Sequence, residues 1–90
     1  MIKEEIRKTI RKLSYPLKSE DEIIYILKRR LTKKEYKVLA LKASNIDLES
    51  ISKELNITMD RLNKISTLLI KKINREKIKH DIMTISSGGQ

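Results

Sequence analysis

Asp60, Asn63, Lys64 and Thr67 set a carboxylate, a carboxamide, an ammonium and a hydroxyl at spacings of three, one and three. On a helix that spacing gathers all four on one side. Such groups recognise hydrogen-bonding edges: the carboxylate suits cytosine, the amide adenine, and the ammonium guanine or a phosphate. Bond-making chemistry has no comparable foothold. Ser14, Ser19, Ser44, Ser50 and Ser52 lack a Gly-flanked nucleophile elbow, and the lone His80 stands in no triad-like setting. Without Cys, and with a single His, the chain has no thiolate zinc site, no disulfide and no His cluster to hold a metal. Glu20-Asp21-Glu22 falls at a helix start, where the helix dipole accounts for it without a cation. The expectation is a binding protein, not an enzyme, with no cofactor and no metal.

Around these residues the chain is short and basic. Ninety residues fit one small domain, with 21 Lys+Arg against 12 Asp+Glu for a formal charge of +9. A hydrophobic fraction of 39% is enough to bury a core despite 37% charged residues. That core is aliphatic, since fifteen Ile face no Phe, no Trp and three Tyr, and a base-stacking platform for single strands is correspondingly disfavoured. No stretch approaches the ~18 apolar residues of a membrane span, and Met1-Ile2-Lys3-Glu4-Glu5 does not open a signal peptide. A soluble, cytoplasmic protein is expected. The positive excess lies at the two ends: 9 basic and 5 acidic residues up to Leu31, 5 and 4 from Thr32 to Thr58, and 7 and 3 beyond.

The elements that must position the recognition residues read as helices throughout. Ile2, Ile6, Ile10 and Leu13 form an amphipathic stripe ending before Pro16. Ser19 with Glu22, and Thr32 with Glu35, have the three-residue spacing of capping boxes and start the second and third helices. Asn45 and Asn56 tolerate the left-handed conformation that ends helices three and four. Asp47 caps the fourth helix and Thr58 the fifth. From Met59 to about Met83 no breaker is evident, and Leu62, Ile65, Leu69 and Ile73 mark one face, so the last helix is expected to be long. This gives an all-α domain of about five helices over residues 1–83, with residues 1–30 of open role, and a flexible tail at 84–90.

Residues 48–67 meet the demands of a helix-turn-helix. Ile51, Leu55, Ile57, Leu62 and Ile65 take interior positions, Ser52 the small-residue position where the helices touch, and Asn56 the turn. The run Leu31-Thr32-Lys33-Lys34-Glu35-Tyr36-Lys37-Val38-Leu39-Ala40-Leu41, continued after a gap by Leu48-Glu49-Ser50-Ile51-Ser52-Lys53-Glu54-Leu55-Asn56-Ile57-Thr58, resembles the promoter-binding region 4 of bacterial sigma factors and the related LuxR-type domains, over about residues 31–75. The uninterrupted last helix is closer to sigma region 4. The resemblance implies duplex DNA as partner, with Met59, Asp60, Asn63 and Lys64 at positions where the family usually has Arg, Glu, Arg and Gln. The first of these supplies a guanine contact in the family, and Met59 cannot make the paired hydrogen bonds of a guanidinium. Ninety residues leave no room for the region that binds the other promoter element.

Two functions fit these residues. In the first, the protein is a small transcription regulator on double-stranded DNA, with Asp60, Asn63, Lys64 and Thr67 facing bases and Lys33, Lys34, Arg61 and Lys71 facing phosphates. Lys37, Lys72 and Arg75 are further phosphate candidates. In the second, the same shape binds RNA polymerase or another transcription protein, a role the resemblance also implies. Leu68-Leu69-Ile70 offers more apolar surface than one helix face buries, so helices one and two or a second copy should cover it. A membrane-surface role for the basic first helix is disfavoured by its lack of aromatic anchors.

Overall fold

A computed structural model describes residues 2–10 and 16–83. These form six helices: α1 (Ile2–Thr9), α2 (Glu20–Arg30), α3 (Lys33–Ala43), α4 (Leu48–Leu55), α5 (Met59–Ile73) and α6 (Glu76–Ile82). The all-helical class is as expected, with one helix more than anticipated. Among the described residues the only extended pairing is an isolated antiparallel bridge between Leu17 and Met83. The stretch just before Pro16, where the first helix is expected to end, and the tail at 84–90 lie outside the described residues.

Side chains fix where α2 to α5 begin. Ser19 and Glu22 form a complete capping box on α2, and Thr32 and Glu35 form another on α3. Asp47 Oδ1 accepts from the Ser50 amide at 2.7 Å, and Thr58 Oγ1 from the Arg61 amide at 3.1 Å. The ends of α3 and α4 share one device. Asn45 and Asn56 carry φ of 63° and 56°, and the next amides along the chain, those of Ile46 and Ile57, reach back to the Leu41 and Ser52 carbonyls at 3.2 and 3.0 Å. This is the Schellman closure, which satisfies carbonyls the helix would otherwise leave unpaired.

A single buried cluster draws residues from all six helices, including Ile6, Ile23, Leu39, Ile51, Leu69 and Ile82. Burial of each such side chain contributes about 1.5–3 kcal/mol, which lets a 90-residue chain fold without Phe or Trp. α6 closes on α2 through Ile78 and Ile82, with Arg30 Nη2 2.6 Å from Asp81 Oδ2 at the rim. The segment entering α2 adds a hydrogen bond from the Lys18 amide to the Ile82 carbonyl at 2.9 Å.

The expected helix from Met59 to Met83 is corrected by a break at Asn74 and Arg75. Asn74 Nδ2 donates to the Ile70 carbonyl at 2.9 Å and to the Thr9 carbonyl at 3.2 Å. An Asn side chain that pairs with the backbone in this way competes with helix continuation. The turn also rescues the apolar phase. Ile73 and Ile78 are five residues apart, which on one straight helix would face different directions; after the turn both are buried.

α1 is held at each end by another element. Glu20, at the start of α2, accepts from the Ile2 and Lys3 amides at 3.0 Å through its two oxygens, and Asn74 takes the Thr9 carbonyl at the other end. The acidic start of α2 therefore serves two helix N-termini, one its own and one across the core.

Candidate nucleic-acid interface

The α4–α5 pair is fixed at its turn by three residues. Asn56 supplies the left-handed backbone (φ 56°, ψ 50°), Ile57 is half-buried against the core, and Thr58 caps α5. Ser52, expected only to be small, also donates its hydroxyl to the Ile57 carbonyl at 2.6 Å. The turn is thus tied back to α4 by side chain and by backbone together. Behind it Ile51 and Leu62 are fully buried, while Leu55, Ile57 and Ile65 are half-buried at its edge.

With Leu62, Leu69 and Ile73 inward, α5 turns a polar face out. Asp60, Lys64, Thr67 and Lys71 are all exposed, and their spacings of four, three and four make one straight stripe. Asn63 is exposed on one flank of it, and Arg61 on the other. A shallow hollow is lined by Asn63, Lys64, Thr67 and Leu68, so three of the predicted recognition groups and an apolar neighbour share one surface. The Thr67 hydroxyl donates to the Asn63 carbonyl at 2.9 Å, so its proton is engaged while its oxygen can still accept.

No family model, curated protein or solved structure matches the chain.

Lys33 and Lys34 are exposed in the first turn of α3. Their relation to α5 is set by a pair that sequence reasoning does not find: Lys72 Nζ is 2.9 Å from Glu35 Oε1. Glu35 belongs to that same first turn of α3 and Lys72 to the last turn of α5, beside Lys71. Lys72, expected among the phosphate contacts, has this partner within the chain. Burial pushes the Glu35 carboxyl up, but the Lys72 hydrogen bond and charge and the Thr32 amide outweigh it and hold the group below the ordinary glutamate value. The signal lay in the spacing: Glu35 precedes Val38 and Leu39 by three and four residues, which puts it on the face that is buried.

Beside α3, Lys28 stands over the Tyr36 ring, 5.5 Å from its centre, and a groove there is lined by Leu31, Thr32, Lys33 and Lys37 as well. The surface is cationic with a half-buried aromatic floor. Burial raises the Tyr36 hydroxyl pKa, so it is a neutral donor at physiological pH. Of the anticipated apolar triplet, Leu69 is buried and Ile70 half-buried, while Leu68 stays 50% exposed; Met59 is 40% exposed at the head of α5. Among the described residues no group of three or more His, Cys, Asp or Glu could hold a metal, and no helix is long and apolar enough to cross a membrane.

Proposed function

We propose that this protein binds double-stranded DNA as a small transcription regulator, with α4 and α5 acting as a helix-turn-helix of the sigma region 4 kind. The observation that carries the reading is the outward stripe of α5, four polar residues in line and flanked by Asn63 and Arg61, on a helix whose entry is fixed by Asn56 and Thr58. A helix presented this way is the element that enters a major groove. Asp60, Asn63, Lys64 and Thr67 then read base edges, with Thr67 offering its methyl to thymine or its oxygen to a donor. Lys33, Lys34, Arg61 and Lys71 neutralise phosphates on either side, and the net charge of +9 makes association strongly salt-dependent.

Selection from a random duplex pool, with affinities of recovered and scrambled sites measured across salt, tests the proposal. The expected result is an enriched motif bound roughly a thousandfold more tightly than scrambled DNA. Absence of any enriched motif would overturn sequence-specific binding.

Leu68 and Met59 favour a second reading, in which the same helix docks on RNA polymerase or another transcription protein. Both are exposed apolar residues beside the polar stripe, and Met59 stands where the family reads guanine. In that case duplex binding is weak and without sequence preference, and substitutions at Leu68 and Met59 abolish partner capture while those at Asn63 and Lys64 do not.

A further inference from the structure

We propose that the outward face of α2 is the contact between two copies of this chain, packed antiparallel about a twofold axis at Tyr25. The proposal is independent of DNA binding and concerns the opposite class of surface. Ile23 and Leu27 of α2 are fully buried, which leaves Asp21, Glu22, Tyr25, Lys28 and Arg29 exposed. Among the described residues Tyr25 is the most exposed large apolar side chain, at 63%. Its ring is held in place by Arg29, whose guanidinium lies 5.6 Å from the ring centre and donates to the hydroxyl at 3.3 Å. Tyr and Arg are the residues that most often anchor protein interfaces.

The charges around Tyr25 are arranged for self-recognition. Asp21 lies four residues before it and Arg29 four after; Glu22 lies three before and Lys28 three after. When two α2 helices pair antiparallel with Tyr25 on the axis, the acidic start of each copy, with Asp21, meets the basic end of the other, with Arg29. That is the requirement of an isologous twofold contact, in which one patch must complement itself. The helix dipole favours acid first and base last in any helix, but it does not call for an exposed aromatic at the midpoint. Nor does it create the hollows on the two sides of Tyr25, one lined with Asp21, Glu22 and Ile26 and the other with Ile26, Arg29, Arg30 and Asp81. Among the described residues Asp21 and Arg29 have no ion-pair partner within the chain, so the Asp21–Arg29 contact carries the selectivity. Three helical turns make a small interface, which places the association among weak ones and makes it weaken further with salt.

Sedimentation equilibrium of the full chain at low salt, up to about 1 mM, tests this. The wild type is expected to dimerise. Arg29→Glu and Asp21→Arg, each folded by circular dichroism, are expected to associate at least ~10-fold more weakly alone, because each sets like charges opposite one another. Mixed in equal amounts they should form a heterodimer of near wild-type strength, since the two variants offer opposite charges at both ends. Tyr25→Ser, which alters no charge, should also dissociate. A wild type that stays monomeric at every concentration would overturn the proposal, as would a dimer indifferent to all three substitutions or a mixture that fails to associate.

Discussion

Lys72 and Glu35 join the last turn of α5 to the first turn of α3 through a contact of 2.9 Å, and Glu35 is only 6% exposed. The same Glu35 Oε1 accepts from the Thr32 amide at 2.9 Å. One oxygen therefore closes the cap of α3 and anchors α5, so the helix carrying Lys33 and Lys34 and the helix carrying the polar stripe move together.

Acid should dissolve this tie. The folded Glu35 carboxyl lies below its ordinary value, so its contribution is complete above the usual carboxylate range and is lost as pH falls through the folded value beneath it. Glu35→Gln is expected to cost about 1–3 kcal/mol at neutral pH. The gap to wild type should narrow as the solution becomes more acidic than that range. Urea unfolding of both proteins from pH 7 downward measures it, and a gap that does not change with pH would contradict the assignment.

The left-handed turn residue gives a second test. Asn56→Gly keeps the backbone at φ 56° without strain and should leave stability near wild type, whereas Asn56→Ala should cost about 1 kcal/mol. Thermal unfolding separates the two. Equal melting temperatures for both variants would mean that the turn conformation is not what Asn56 supplies.

On the proposed DNA face, the stripe and its flank should fail differently. Lys71→Ala is expected to weaken all duplexes alike and to reduce the slope of log affinity against log salt by about 0.9, one phosphate's share. Asn63→Ala should relax preference at one base pair, by about 1–3 kcal/mol, and leave the salt slope unchanged. Titrations of matched and single-substituted sites at several salt concentrations read both effects. Identical behaviour of the two variants would sink the division into base and phosphate contacts.

Replacing Asn74 tests why α5 stops. Asn74→Ala removes donors to Thr9 and Ile70 and favours helix locally, yet burial of Ile78 and Ile82 still requires the turn. A loss of about 1 kcal/mol is expected with the break retained, and hydrogen exchange should quicken in α1 and α6 first. A straightened, fully protected α5–α6 helix would show that the side chain alone imposes the break.

Local chemistry is the legible part of the fold. Ser19, Thr32, Asp47 and Thr58 act as caps, and Asn45 and Asn56 turn the chain, because each effect spans only a few residues. The end of α5 escapes a sequence reading although the five-residue step from Ile73 to Ile78 breaks the stripe, since nothing local at Asn74 reveals that Thr9 waits 65 residues upstream. The partner of Lys72 escapes for the same reason: a lysine at the edge of a buried face reads as solvated until Glu35, 37 residues away, is known. The exposure of Asp60, Asn63, Lys64 and Thr67 comes directly from period and capping; what they touch does not.

The two clamps on α1 determine how that helix exists at all. Eight residues are too few to sustain a helix in water, and α1 draws its order from Glu20 at one end, Asn74 at the other and the core beneath. It has no stability of its own to lose. α1 is a dependent variable of the rest of the molecule, present while the α2 start and the α5–α6 turn hold their positions and dissolving when either lets go.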